Sequence, residues 1–313
     1  MMSHLKSPAL CLVALLLAGC GRVPISALFS DYERQLDSYD QVDITDTDVT
    51  TTLAGDGREV ALVSAFYGLD DDLPFFSGRF ICEGSRNKDG MPVIFSHEVD
   101  PGTVEPGDFK VTTASGAIGE VTCLTLAPAD DKGELRTVLL VGQYGSIDDQ
   151  PARVEIVGNI LSADRSANFK GTSVEVIPLE AGPTLVWAEV VPHQEWALDQ
   201  EGTALPFGGG SGCPEGTRQI VRATWAGGIT KPNSQPADDV ERLVYKVTTV
   251  SHDGTVNELT PFALADLGDG DNNHKLCLDS TDKVTTVSFA AGYVTDPRDD
   301  LNPATSVMVE QQP

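Results

Sequence analysis

The chain has 313 residues, and its composition of 41% hydrophobic, 6% aromatic and 22% charged residues excludes a wholly disordered protein. Its 30 glycines and 19 prolines predict many turns, which favours β-rich domains outside the cytoplasm. The formal net charge of −26 at pH 7 repels phosphate backbones, so the chain is not expected to bind nucleic acid. Solubility is the simplest reason for this charge, and binding of cations or basic proteins is the alternative.

The N-terminus has the pattern of a secretion signal. Lys6 precedes an apolar run from Pro8 to Leu17, which is how the charged and hydrophobic regions of a signal peptide are arranged. The run falls well short of the roughly 20 residues that a helix needs to cross a bilayer. The sequence therefore predicts a signal peptide over residues 1–19.

The end of this segment, Leu17-Ala18-Gly19-Cys20, resembles the lipobox of bacterial lipoproteins. The resemblance implies thioether attachment of diacylglycerol to Cys20, cleavage before this residue and acylation of the new amine. Such a set of acyl chains exceeds the two membrane signals that stable anchoring requires. Gly21 follows Cys20, which by the same resemblance favours the outer membrane or the cell surface. The alternative is an ordinary signal peptide, cut nearby, that leaves Cys20 as a free thiol.

Residues 20–58 are polar and acidic, with weak periodicity. Ser30 and Glu33 form a capping-box pattern, which is typical of the start of a short helix and predicts one over Ser30 to Tyr39. The remainder predicts a spacer that lifts the folded domains off the membrane. The alternative is a segment that is partly ordered against the first domain.

Short stretches with β-branched residues alternate with turn signals over residues 59–192. We predict strands in the stretches EVALVSAF, MPVIF, FKVTTA, GEVTCLTL, LRTVLLVGQY, ARVEIVG, SVEVIPL and TLVWAEVV. No sustained helical stripe of apolar residues runs through this segment. The pattern predicts an all-β domain with the architecture of a β-sandwich.

One segment of this domain, PVIFSHEVDPGTVEPGDFKVTTASG at Pro92–Gly116, resembles the opening of bacterial Ig-like domains of the S-layer-associated type. Later, PARVEIVGNILSADRSANFKG is similar to the stretch near the end of such a domain. The resemblance extends over about residues 92–180 and implies an Ig-like fold. In physical terms, the prolines and glycines predict turns, and Val99, Val104 and Phe109 are expected to hold the loop on the core.

A second domain is predicted after a change in composition. Residues 193–216 are rich in glycine and proline, which indicates an interdomain linker. Residues 217–313 then contain further strand-like stretches: RQIVRATWAGG, ERLVYKVTTVS, VNELTPFALAD, HKLCLDS, KVTTVSFAAGYV and TSVMVEQ. The prediction is a second Ig-like or fibronectin-like sandwich, on architecture alone, with Trp225 in its core.

Four cysteines remain after the signal peptide and the lipid site: Cys82, Cys123, Cys213 and Cys277. They allow three disulfide connectivities. We favour Cys82–Cys123 and Cys213–Cys277, because each pair then lies within one predicted domain in an oxidising compartment. A zinc site is the alternative, but the C-x-x-C and C-x-x-H spacings that would support it are missing.

The segment DLGDGDNNHKLCLD suggests a calcium site, because Asp269, Asp271 and Asn273 have the spacing of the first ligands in a calcium loop. The EF-hand pattern then fails, since its sixth position lacks glycine and its twelfth lacks glutamate. A calcium site would need carbonyls or carboxylates from another loop, and the acidic loop at 295–303 is the candidate. The alternative is a solvated hairpin turn.

Catalytic patterns are weak in this sequence. The histidines show no H-E-x-x-H or H-x-H spacing, and Ser211 lacks the nucleophile-elbow pattern. We therefore expect no enzymatic activity and, calcium apart, no cofactor. The expected partners are the membrane, through the lipid anchor, and another envelope or surface protein.

The function predicted from these features is that of a lipid-anchored cell-envelope protein that displays β-sandwich domains for protein binding or adhesion. Binding predicts an exposed apolar or aromatic patch, for which Trp187 and Trp196 are the candidates. The alternative is a structural envelope component with calcium-rigidified loops, which predicts a rigid interdomain contact. A hydrolase, the third hypothesis, would need a pocket with two convergent carboxylates or a histidine dyad.

Overall fold

The computed structural model describes residues 47–74, 81–199, 210–232 and 234–311. Within these ranges the chain forms fifteen strands and one short α-helix, so the all-β class predicted from the sequence is confirmed. The strands divide into two lobes, which we call the barrel and the sandwich. Both lobes lie in a single contact unit that covers residues 39–313.

The barrel is built from the first seven strands. They are β1 (Leu62–Phe66), β2 (Asp89–Phe95), β3 (Phe109–Thr113), β4 (Ile118–Thr125), β5 (Thr137–Gln143), β6 (Pro151–Ile156) and β7 (Ser173–Ile177). Their order around the barrel is β1-β2-β5-β4-β3-β6-β7. Neighbours run antiparallel except β1 and β7, which close the barrel as a parallel pair through Ala65 and Val176.

Closure distinguishes this lobe from the prediction. Every strand stretch proposed for residues 59–192 overlaps one of β1 to β8, yet the first seven close on themselves where two packed sheets were expected. Side chains alternate inward and outward in a barrel and in a sandwich alike, so the sequence period cannot tell the two apart. The predicted Ig-like sandwich is not confirmed for this lobe.

The loop at residues 99–109, within the segment that resembles Ig-like domains, forms the turns that its prolines and glycines predicted. Short 3-10 helices at Pro101–Thr103 and Pro106–Asp108 follow Asp100 and Glu105, whose side chains help to cap them. Val99, Val104 and Phe109 are buried in the barrel core, which confirms that they hold the loop in place.

The sandwich contains the remaining strands in two four-stranded sheets. They are β8 (Leu185–Val190), β9 (Gln219–Trp225), β10 (Lys246–Val250), β11 (Val256–Leu259), β12 (Ala263–Ala265), β13 (Asn273–Leu278), β14 (Lys283–Phe289) and β15 (Thr305–Met308). The sheet orders are β12-β13-β9-β8 and β11-β10-β14-β15. Apolar side chains from both sheets share one core around Trp225, as predicted for that tryptophan.

Two elements of the sandwich differ from the sequence analysis. β8 was placed at the end of the first domain, whereas it pairs with β9 and belongs to the sandwich. The start of the stretch ERLVYKVTTVS was predicted as strand, but Asp239–Val244 forms the helix α1. Asp238 caps α1 in a capping box with Glu241, a pattern that is readable in the sequence.

The segment before β1 lies against the barrel from residue 47 onward. Ala54 belongs to the barrel core, and the Asn168 side chain donates a hydrogen bond to the carbonyl of Val49. This end of the predicted spacer is therefore ordered on the first lobe, in line with the alternative stated for it. The signal peptide, Cys20 and the predicted helix over Ser30 to Tyr39 lie outside the described residues.

The two lobes approach each other closely. Gly227 of the sandwich lies so near the barrel that an added Cβ would be 2.8 Å from Cδ1 of Phe66. A cavity of about 160 Å³ lies beside this contact and is lined mainly by apolar residues of both lobes, among them Phe66, Leu126 and Gly228. Glycine at position 227 therefore leaves room for the Phe66 ring of the barrel.

Candidate functional site

A group of buried charges lies where the barrel meets the sandwich. We call it the junction cluster, and its members are Glu134, Arg136, Glu189, Arg222, Asp266 and Lys275. All six residues are buried. The sequence analysis named none of them, so this is the functional candidate that sequence reasoning missed.

The sandwich supplies a row of three charges through its strand register. Glu189 on β8 lies opposite Arg222 on β9, which lies opposite Lys275 on β13. Neighbours in such a row project from the same face of a sheet. Their sequence neighbours Ala188, Val221 and Leu276 face the apolar core instead. The row therefore stands on the outer face of the sheet, and the barrel covers it.

The loop before β5 supplies the barrel's share of the cluster. The Nη2 atom of Arg136 donates hydrogen bonds to both carboxylate oxygens of Glu189, at 2.9 and 3.0 Å. Its Nη1 atom donates to the carbonyl oxygen of Ser96 at 3.0 Å. The guanidinium also lies 5.1 Å from the centre of the Trp187 ring, within cation–π range. Arg136 thus connects the two lobes through a bidentate ion pair.

Arg222 makes the reciprocal connection from the sandwich. Its Nη1 atom donates to Oε1 of Glu189 at 2.8 Å and to the carbonyl oxygen of Gly133 at 2.7 Å. Its Nε atom lies 3.4 Å from Oε1 of Glu134. Gly133 has a φ of +87°, and a Cβ there would be 2.5 Å from Nη2 of Arg222. Only glycine fits this backbone conformation and leaves room for the guanidinium.

Lys275 completes the cluster between Glu134 and Asp266. Its Nζ atom lies 3.2 Å from Oε1 of Glu134 and 2.9 Å from Oδ2 of Asp266. Carboxylate oxygens of Asp131, Glu134 and Asp266 all lie within 4.8 Å of one another, a spacing that a metal ion could bridge. The lysine ammonium already supplies a positive charge to two of these three carboxylates.

The surroundings shift the ionisation of the cluster in opposite directions. Burial acts to raise the pKa of Glu134, but the positive charges of Arg222 and Lys275 prevail and lower it. At Glu189 burial also acts to raise the pKa, and the positive charges of Arg136 and Arg222 outweigh it, so the pKa is lowered. Burial and the neighbouring Glu134 raise the pKa of Asp266 to about 8. The cluster therefore contains two ionised carboxylates and one that keeps its proton at neutral pH.

The chemistry available to this cluster is that of a structural clamp. Glu134 and Asp266 are convergent carboxylates, as a hydrolase would need, but each is only 1% exposed and is paired with Lys275. A general acid must reach its substrate, and these groups face side chains of the protein itself. Removing one partner from such a network leaves an uncompensated buried charge, so the network fixes how the lobes fit together.

The predicted calcium residues lie next to this cluster. Asp269, Asp271 and Asn273 line a cavity of about 120 Å³, together with Asp266 and His274. Both carboxylate oxygens of Asp271 accept hydrogen bonds from Asn273, one from its backbone N–H and one from its amide. The amide oxygen of Asn273 in turn accepts from the Thr224 hydroxyl. These atoms are used within the loop and its sheet.

The acidic loop at 295–303 begins beside the same cavity, because Thr295 pairs with Thr230 in its wall. The carboxylate of Asp296 accepts the backbone N–H groups of Arg298 and Asp300 from its own loop. Among the described residues, the acidic side chains with metal-ligand spacing are Asp131, Glu134 and Asp266. The predicted ligands Asp269 and Asp271 and the acidic residues of the 295–303 loop are not in this group, whereas Asp266, at the start of the first predicted loop segment, is.

The structure joins Cys82 to Cys123 and Cys213 to Cys277, which is the pairing that the sequence favoured. The first disulfide ties the segment before β2 to β4 of the barrel. The second ties the segment before β9 to β13 of the sandwich and lies in a small core with Ala265. Each lobe therefore has its own covalent brace, whereas the junction cluster joins the lobes through ion pairs and hydrogen bonds.

The two tryptophans proposed for a binding patch make internal contacts. The ring of Trp187 faces the guanidinium groups of Arg58 and Arg136, at 5.8 and 5.1 Å. The indole N–H of Trp196 donates to the carbonyl of Val191 at 2.9 Å. Both rings are half-buried and serve the fold.

In the part of the chain that the structure describes, the helices are too short or too polar to span a bilayer.

Comparison with known proteins gives little beyond the geometry. No family model matches the chain, and no curated protein matches it. Among solved structures, the chain is similar to the N-terminal part of the bacterial S-layer protein SbsC, with 11% sequence identity and a TM-score of 0.27. The match covers 80% of this chain and 44% of that structure, so the chain spans less than half of the structure that it matches.

Proposed function

We propose that this chain is a lipid-anchored component of the bacterial cell envelope that holds a rigid β-rich body at the membrane surface. The observation that carries the proposal is the junction cluster, which fixes the barrel against the sandwich through buried ion pairs. A protein whose role is to maintain a shape needs this kind of contact. Moving one lobe away from the other would leave buried charges without their partners, which opposes such a movement.

The location rests on two features of the chain. The Leu17-Ala18-Gly19-Cys20 segment resembles a lipobox, which supports anchoring through Cys20. The disulfides in both lobes fit an oxidising compartment outside the cytoplasm. Together they support a mature protein that is tethered to a membrane by its N-terminus and folded on the oxidising side.

Two observations favour a structural role over the adhesion and hydrolase hypotheses. The tryptophans that an adhesion surface would have used, Trp187 and Trp196, are engaged in internal contacts. The convergent carboxylates that a hydrolase would have used, Glu134 and Asp266, are closed to solvent. Trp187 and Glu134 instead make contacts that hold the two lobes in one arrangement.

Cell fractionation of a Cys20→Ser variant tests the anchoring. We expect the wild-type chain to sediment with membranes and to need detergent for release, whereas the variant should appear in the soluble fraction. Cys11→Ser, a change inside the predicted signal peptide, is the matched control and should remain in the membrane fraction. A Cys20→Ser chain that fractionates like wild type would exclude the lipid anchor.

Protein binding is a second candidate function, favoured by an exposed apolar patch on the sandwich. Val240 and Leu243 on α1 are 56% and 57% exposed, and Phe262 beside them is 37% exposed. Arg242 ties α1 to the loop of Phe262 through a hydrogen bond to the carbonyl of Pro261. The patch borders β12, an edge strand, and exposed apolar patches next to free edges are common binding surfaces.

In-cell photo-crosslinking tests this surface. A crosslinking amino acid at Leu243 should give a discrete heavier adduct in intact cells, and the same group at the exposed Lys283 serves as the control. Adducts from both positions, or from neither, would remove the support for a specific surface at α1.

A further inference from the structure

Glu134 and Asp266 bring two carboxyl groups together across the junction. Glu134 comes from the loop before β5 of the barrel, and Asp266 follows β12 of the sandwich. Both side chains are buried, and their oxygens belong to the group that lies within 4.8 Å. Within the described residues, donors other than the cations Lys275 and Arg222 do not reach these oxygens. The two carboxyls therefore depend on these cations and on each other.

The charges around this pair do not balance. Besides Glu134 and Asp266 themselves, the carboxylates that face the pair or its neighbours are Glu98, Asp131, Glu189, Glu195, Asp269 and Asp271. The facing cations are Lys132, Arg136, Arg222 and Lys275. Negative groups are in excess, and two buried carboxylates at this separation cannot both ionise without strong repulsion. The protons of such a pair leave in steps that belong to the pair and not to either residue alone.

We propose that Glu134 and Asp266 share one proton across the junction, and that this proton acts as a latch between the barrel and the sandwich. With the proton in place, one carboxyl donates to the other and the remaining charge is met by Lys275. When the proton leaves, two adjacent buried carboxylates repel each other across the contact, which loosens. The latch is closed at acidic and neutral pH and opens under alkaline conditions.

The direction of the pH dependence follows from proton linkage. Burial and the charge of Glu134 raise the pKa of Asp266 to about 8, whereas an aspartate in the unfolded chain has a pKa of about 3.9. Between these values the folded state binds a proton that the unfolded state does not. The contribution of this pair to stability therefore declines as pH rises from about 4 to about 8. Above pH 8 Glu134 and Asp266 are both ionised, and their negative charges repel each other across the contact.

Hydrogen exchange of the full-length chain at pH 6 and pH 9, corrected for intrinsic exchange rates, tests the latch. Protection in peptides that cover 131–136 and 266–275 should fall by roughly a hundredfold between pH 6 and pH 9, because the folded state loses its extra proton over the two pH units from 6 to about 8. Peptides from β2 in the barrel core serve as the internal reference and should keep their protection. Equal protection of the junction peptides at both pH values would overturn the proposal.

Asp266→Asn separates the latch from other alkaline effects. The amide stays neutral at every pH, and its N–H can donate to Glu134 as the shared proton would. We expect its junction peptides to keep their protection at pH 9, whereas Glu258→Gln, an exposed control on β11, should behave like wild type. A variant that loses protection as wild type does would contradict the proposal.

A second measurement needs no variant and holds even if Asp266→Asn fails to fold. Carbon-13 NMR of assigned carboxyl groups in the wild-type chain should show Glu134 and Asp266 titrating together, with one step near pH 8. A titration in which both carboxyls complete their ionisation below pH 6 would exclude a shared proton and overturn the latch.

Discussion

The lobes and the contact between them are stabilised by different forces. In the barrel, apolar side chains fill the centre, and the ring of Phe95 packs edge-on against Phe169 at a centroid distance of 4.9 Å. At the junction, Arg136, Glu189 and Arg222 are equally buried but charged. Burial of apolar area supplies most of the free energy of folding. Buried ion pairs add little net free energy, but they are costly to break on one side, so they fix one docked arrangement.

The sandwich core combines apolar packing, as in the barrel, with buried polar contacts, as at the junction. It is mostly apolar, yet the indole N–H of Trp225 donates to the hydroxyl of Tyr245 at 2.9 Å, and that hydroxyl contacts Nδ1 of His274 at 2.9 Å. Burial lowers the pKa of His274 to about 4. A buried chain of neutral hydrogen bonds specifies how a core packs without carrying net charge.

The largest effect is expected from removing one charge of the junction. Arg222→Met leaves Glu134 and Glu189 buried with a partner missing, so we expect the free energy of unfolding to fall by roughly 3–5 kcal/mol. Urea unfolding measures the loss. Arg218→Met, an exposed change just before β9, is the matched control and should stay within about 0.5 kcal/mol of wild type. Equal losses in the two variants would contradict the role given to the cluster.

The second effect concerns the sandwich core and has the opposite pH sign to the junction. His274 is neutral in the folded state at neutral pH and has a pKa of about 4, against about 6.5 for a histidine in an unfolded chain. Its contribution is complete above pH 6.5 and is lost as pH falls towards 4, by roughly 3 kcal/mol. Urea unfolding of wild type and His274→Gln, compared at pH 7 and pH 4.5, isolates this residue. A difference between the two chains that does not change with pH would count against a buried neutral imidazole.

A smaller loss is expected in the barrel core, where no charge is involved. Ile156→Val removes one methyl group from a side chain that is 1% exposed, and we expect a loss of about 1 kcal/mol at every pH. Ile118→Val makes the same change at a side chain that is 61% exposed, and it should be close to neutral. A loss that varies strongly with pH would contradict the claim that the barrel core is stabilised without charges.

The smallest effect is expected from calcium. The oxygens of Asp271 and Asn273 already accept hydrogen bonds within the loop and its sheet, so a calcium ion would have to displace them. Thermal melts of the full chain in calcium and in chelator should differ by less than about 1 °C, well below the roughly 2–4 °C that a 1 kcal/mol change gives in a domain of 150–250 residues. A calcium-dependent rise of several degrees would instead support the predicted calcium site at Asp269, Asp271 and Asn273.

The local features were predictable because each depends on a short stretch of sequence. Alternating β-branched residues located the strands, and placing each cysteine pair within one domain gave the disulfides that the structure shows. The helix α1 was missed, although Asp238 and Glu241 form a capping box that signals its start. The barrel was missed because closure depends on β1 meeting β7, a contact that no local pattern encodes.

The junction cluster could not be predicted for a different physical reason. A charged residue in the middle of an amphipathic strand, such as Arg222 or Lys275, normally marks the solvent face of a sheet. That interpretation is correct for the sandwich alone, since these residues do lie on its outer face. Only the docking of the barrel buries that face, and the sequence carries no local signal for docking.

Differential scanning calorimetry of the full-length chain at pH 6 tests most directly whether the junction makes one body of the two lobes. We predict a single transition whose calorimetric and van't Hoff enthalpies agree, and two resolved transitions in Arg222→Met. Two separate transitions in the wild-type chain would contradict the account, because they would show that the barrel and the sandwich unfold independently in spite of their buried charges.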